Sequence, residues 1–124
     1  MQKQTSLLLG AITGGLAVAI GAFGAHALKP FLVESGREAT FELAVRYQFY
    51  HALALLAGGI IMGESRIKAL QYSCLFFFIG IVLFSGSLYV LCFTGYKTLG
   101  AVTPFGGVFF ILGWVLLGIG VYKK

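Results

Sequence analysis

Polar and apolar positions fall along this chain in long blocks. Apolar runs cover residues 7–28, 43–62, 70–93 and 105–122, separated by short polar stretches. A bilayer's hydrocarbon core, about 30 Å thick, needs about 20 residues of helix at 1.5 Å per residue, and each run is close to that length or longer. The pattern therefore predicts an all-α membrane protein: one domain over residues 1–124, with four transmembrane helices in an up-down bundle. Tyr47 to His51, read as Y-Q-F-Y-H, sets amide and ionisable side chains inside the second run, and the other runs look like a wall around it.

The boundaries carry their own signals. A cleaved signal peptide competes for the first run, because Ala25-His26-Ala27 resembles a small-x-small cleavage site, but a run of this length exceeds an h-region of about 7–15 residues. Lys29-Pro30 ends the first helix, since proline disfavours helical geometry in the residue before it. Phe31 to Val33 are then expected to skim the interface. Ser35-Gly36-Arg37-Glu38 has the S-x-x-E form of a capping box, so the second helix is expected to begin near Gly36. Glu42 stands four residues before Arg46, the favourable orientation for a helical ion pair. Gly63 to Ala69 forms a polar turn, and Thr103-Pro104 reads as a cap followed by proline in the first helical turn.

Composition agrees with a membrane as solvent. Hydrophobic residues make up 59% and charged residues 10% of the chain, against about 25% charged in soluble domains. Within the first run Gly10, Gly14, Ala17, Gly21 and Gly24 recur at spacings of four and three, giving a helix-packing stripe without bulky side chains. The net charge of +5 comes from nine scattered Lys and Arg residues, which argues against nucleic acid as a partner. Membrane lipids are the expected partners, with a second copy of the chain or another membrane protein as further candidates. Four crossings put both termini on one side with Lys3, Arg66, Lys68, Lys123 and Lys124, against Lys29, Arg37, Arg46 and Lys97 on the other. That basic excess assigns the termini to the cytoplasm, in a bacterial plasma membrane. Cys74 and Cys92 lie about 27 Å apart along one helix, too far for a disulfide within it.

The segments G-A-F-G-A-H-A-L (Gly21 to Leu28), Y-Q-F-Y-H-A-L-A-L (Tyr47 to Leu55), F-S-G-S-L-Y (Phe84 to Tyr89) and T-P-F-G-G with Gly113-Trp114 resemble the bacterial membrane family called domain of unknown function 423, related to the eukaryotic transmembrane protein 256. The resemblance implies a four-span membrane protein with no assigned activity, and it carries no catalytic residues over.

Two histidines in membrane helices raise haem, metal or proton transfer. His26 and His51 differ in depth by roughly 9 Å if both helices stand upright, which does not suit a haem held between them. No carboxylate falls within a span, so the three or four ligands of a zinc or di-iron site are lacking. Ser85 and Ser87 have no acid and base to activate them. No cofactor, metal or enzymatic activity is therefore expected. Depths counted from the ends of the apolar runs bring His51, Ser85 and Ser87 to one level, with Gln48, Tyr89 and His26 nearer the surface. His51 is accordingly expected to hydrogen-bond Ser85 or Ser87, with Gln48 in the same network. The expected function is that of a structural or accessory membrane protein acting through helix, protein or lipid contacts; the alternative is a small proton-coupled carrier, working as an oligomer, with His51 as its titrating group.

Overall fold

The computed structural model describes all 124 residues and contains helices and turns but no strands. Five helices follow one another: α1 (Lys3–Ala25), α2 (Lys29–Ser35), α3 (Glu38–Met62), α4 (Lys68–Thr94) and α5 (Thr103–Lys123). Three of them, α1, α4 and α5 with the 3₁₀ turn before it, are long and apolar enough to cross a membrane. α3 has 25 residues, but Glu38, Glu42, Arg46 and the Tyr47 to His51 stretch make it less apolar.

Position in the bundle accounts for the polar residues in the middle of α3, Gln48 and His51. α1 packs on α3, α3 on α4, and α4 on α5, while α3 also touches α2 and α5. Ten residues of α3 are buried, among them Ala44, Gln48, His51, Leu55 and Gly58. A helix enclosed by protein can carry polar groups, provided its neighbours satisfy them. α5 lies at the rim, and exposes Phe105, Ile111, Trp114 and Val115. The main core brings Leu55 and Met62 of α3 against Leu70, Cys74, Phe77 and Ile81 of α4 and Phe110 of α5. A smaller cluster of Leu32, Phe41 and Cys92 closes the opposite end.

Both chain termini lie at one end. Lys3 Nζ is 3.0 Å from Glu64 Oε1 in the α3–α4 turn, and the Met1 ammonium donates to the Gln71 carbonyl. At the other end the Cys92 thiol donates to the Arg37 carbonyl at 3.9 Å, and Phe31 stacks on Phe93.

Several boundaries differ from those read in the sequence. Phe31 to Val33 belong to the short helix α2, with Pro30 in its first turn and Leu32 buried. Gly36 ends α2 in the left-handed region (φ 71°), donating to the Val33 carbonyl while the Arg37 amide reaches back to Leu32. Such paired bonds form a Schellman ending, for which glycine has the freedom. This ending displaces the predicted capping box: Ser35 closes α2 and donates to the Leu32 carbonyl at 3.2 Å, so its hydroxyl is not available to α3. Nor do Glu42 and Arg46 pair, since the only ion pair in the chain is Lys3–Glu64. Thr103 is the first residue of α5, where its hydroxyl bonds Ser87 and the Leu99 carbonyl and caps no amide.

α4 is irregular in the middle, where Ile81–Ser85 forms a π turn closed by a bond from the Gly86 amide to the Ile81 carbonyl. A π turn inserts one extra residue into the helix and changes the direction of the side chains beyond it. Here it brings the Phe84 backbone against Gly106 of α5 and turns Ser85 toward α3.

Candidate functional site

Polar side chains join α3 to its neighbours at several levels. Beside α1, Ser6 donates to the Leu55 carbonyl at 2.7 Å, and Gln48 Nε2 donates to the Thr13 carbonyl at 2.8 Å. The Thr13 hydroxyl turns back to the Leu9 carbonyl of its own helix. On the α4 side, the Tyr89 hydroxyl donates to Gln48 Oε1 at 2.6 Å and Ser85 to the Ala44 carbonyl at 2.7 Å. Gln48 thus bridges α1 and α4, using its amide nitrogen toward one and its oxygen toward the other. Between α4 and α5, Ser73 donates to the Gly113 carbonyl at 2.7 Å, and Ser87 and Thr103 share a bond of 2.6 Å.

His51 occupies the centre. Its ring is 4% exposed and stacks face to face on Phe110, with centroids 3.6 Å apart and an interplanar angle of 8°. Phe77, Tyr47 and Trp114 complete the aromatic surround. Nδ1 lies 2.8 Å from the Tyr47 carbonyl, and Trp114 Nε1 donates to Nε2 at 3.1 Å. A carbonyl can only accept and an indole N–H can only donate, so the two bonds together define a neutral ring with its hydrogen on Nδ1. A hydrogen on Nε2 would point at the indole N–H. The alternation of short polar bonds with aromatic faces leaves no buried side-chain nitrogen or oxygen without a partner.

The cluster expected from the sequence is therefore divided. Gln48 and Tyr89 do meet, but His51 bonds neither Ser85 nor Ser87, and Gln48 joins it in no network. His26 stands apart in the turn after α1, exposed and bonded to the Ala22 carbonyl. The physical reason lies in the depth comparison. Ser85 meets α3 at Ala44, and Cys92 meets it at Arg37, so the outer end of α4 extends about two helical turns beyond the assumed level, roughly 10 Å. The opposing apolar runs end at different depths. At the level of His51, α4 presents Phe77, and the polar partner comes from α5.

The stripe on α1 lies along α3. A Cβ added at Gly10 would fall 2.9 Å from Leu56, one at Gly21 3.2 Å from Val45 Cγ1, and one at Gly14 at an ordinary 3.6 Å from Ala52. Ala17 and Gly24 are buried, the latter beneath Phe41. Ser6, Thr13 and Ser73 escaped the sequence reading, as did the role of Trp114 as a hydrogen-bond donor. Ser6 and Thr13 had a signal, because they fall on the same face as Gly10 and Ala17 and are small enough for it.

No group of three His, Cys, Asp or Glu side chains is arranged to hold a metal ion, and both cysteines are free and buried. The chemistry of this centre is hydrogen bonding and ring stacking between helices.

An all-helical chain with three membrane-length apolar helices, and with Gln48, His51 and the mid-helix serines buried between them, defines a small integral membrane protein. The chain belongs to the family described as Protein of unknown function (DUF423), whose model matches residues 20–107. It is 49% identical over 117 residues to a UPF0382 membrane protein of Staphylococcus saprophyticus, covering 94% of this chain and 96% of that one. A UPF0382 membrane protein of Staphylococcus aureus is 44% identical, covering 94% of each chain. Another from Bacillus subtilis is 41% identical over 118 residues, covering 94% of this chain and 95% of its own. No solved structure matches the chain.

Proposed function

We propose that this chain is a four-span structural or accessory protein of the bacterial plasma membrane, not an enzyme, that acts through contacts with lipids, with other membrane proteins or with copies of itself. The observation that carries this reading is the engagement of every buried polar side chain, His51 included, with another protein group. What remains for outside partners is the apolar exterior and the charged rim. A proton-coupled carrier built on His51 gains no support from a ring whose two nitrogens already hold partners in the neutral form. Relatives from Staphylococcus and Bacillus support the bacterial plasma membrane as the location.

α3 is the fourth crossing in this reading. It runs from the Arg37 end of the bundle to the Glu64 end beside α1, a helix of similar length, and Gln48 and His51 in its middle are enclosed by neighbours. Basic residues favour the end holding Lys3, Arg66, Lys68, Lys123 and Lys124 as the cytoplasmic one. Topology reporters placed after Gly36, Gly63, Tyr96 and Lys124 test this directly. Outside, inside, outside and inside is the expected series; equal responses after Gly36 and Gly63 would remove α3 as a span, and an outside response after Lys124 would invert the orientation.

A further inference from the structure

Between α1 and α3, at the end away from the chain termini, lies a half-open cleft of about 290 Å³ lined by Gly24, Leu32 and Phe41 and by four charged residues, Lys29, Glu38, Glu42 and Arg46. Gly21, Val45 and Arg46 also belong to a second, apolar cleft of about 320 Å³ that continues along α1 and α3 past Ala17, Val18 and Phe49. The two form one channel, charged at its mouth and apolar beyond. None of the four charges has an ion-pair partner, although Glu42 and Arg46 are spaced to form one.

We propose that this channel binds one zwitterionic, amine-headed glycerophospholipid of the phosphatidylethanolamine type. The order of groups along α3 carries the assignment. Glu38 is outermost, Glu42 lies about 6 Å deeper, Arg46 about 6 Å deeper again, and Phe49 beyond it. An ethanolamine phospholipid presents the same sequence of chemistry with depth: ammonium, phosphate, acyl chain. The ammonium meets the Glu38 and Glu42 carboxylates, and the phosphate meets the Arg46 guanidinium, a planar donor suited to phosphate oxygens. Lys29 closes over the phosphate from α2. An acyl chain lies in the groove made by Ala17, Gly21 and Val45, where the small residues of α1 leave room. The two basic and two acidic groups balance, which matches a lipid of no net charge and disfavours one carrying only phosphate. The assignment rests on α3 crossing the membrane, because only then do Arg46 and the apolar groove face lipid at adjacent depths.

The test uses the full chain in nanodiscs of equal parts phosphatidylethanolamine, phosphatidylcholine and phosphatidylglycerol with identical acyl chains. Native mass spectrometry then reads the lipid retained after release into detergent. Phosphatidylethanolamine should be retained at least threefold over both others. Arg46→Gln should reduce retention of all three at least fivefold. The double variant Glu38→Gln with Glu42→Gln should keep retention while bringing phosphatidylethanolamine and phosphatidylcholine to equality. Soluble glycerophosphoethanolamine, which has the headgroup without acyl chains, should fail to compete at tenfold excess. Retention at bulk proportions, a preference for phosphatidylglycerol, an unchanged pattern in either variant, or full competition by the soluble headgroup would each overturn the proposal. Thermal melts matching the unsubstituted protein exclude misfolding of the variants. Failure of the topology series would defeat the spanning reading, whereas correct topology without lipid preference would defeat the channel alone.

Discussion

Gly106→Ala should lower the stability of the protein in detergent by about 3 kcal/mol, the upper end of the ordinary range for overpacking. A Cβ at Gly106 would sit 2.7 Å from Phe84 Cα and closer still to its amide nitrogen. The opposing atoms are backbone, held in the π turn of α4, so no side-chain rotation relieves the overlap. α5 would have to move away from α4 and loosen the contacts of Gly113 with Phe77 and of Gly120 with Leu70. Gly107 supplies the control, since a Cβ there meets nothing within 4 Å. Thermal unfolding should separate Gly106→Ala from Gly107→Ala clearly; equal melts would contradict the α4–α5 contact described above.

His51→Ala is the second large effect, expected at about 3 kcal/mol, because it deletes a buried ring and leaves a cavity between Phe110, Phe77 and Tyr47. His51→Phe keeps a ring against Phe110 and loses both polar bonds. The Tyr47 bond lies within α3 and only the Trp114 bond joins two helices; interhelical hydrogen bonds in membranes average about 0.6 kcal/mol, so the cost should stay near 1 kcal/mol. Trp114→Phe breaks the same bond from the other side. If the His51–Trp114 bond is the shared term, the double variant His51→Phe with Trp114→Phe should cost less than the sum of the two singles. Strict additivity would mean that the two residues do not interact, and a loss in His51→Phe as large as in His51→Ala would mean that hydrogen bonding outweighs ring packing.

The helical blocks were legible because a bilayer demands long apolar segments, and the packing face of α1, though not its partner, because small residues repeat at the period of a helix face. Distances between helices were less legible. The ends of the apolar runs give depth only if opposing helices meet the surface alike, and α4 extends past the charged start of α3. A serine eight residues inside one run therefore met Ala44 and not His51. Trp114 was hidden by being one apolar residue within an apolar run, so only three-dimensional pairing reveals its N–H as the partner of His51. Ser35 misled because the S-x-x-E pattern is local, while α2 is too short to show a helical period and claims the serine for its own end. The π turn has only Gly80 and Gly86 at its borders as a trace in the sequence.

At the centre of the bundle the His51 ring is locked between helices as a neutral hydrogen-bonding group. Nitrogen NMR of selectively labelled histidine in the membrane-embedded protein at neutral pH reads this state most directly. The Nδ1-protonated neutral tautomer is the expected result, with Nε2 coupled to a hydrogen-bonded Trp114 indole that exchanges slowly with water. A doubly protonated ring, or the Nε2-protonated tautomer, would contradict it.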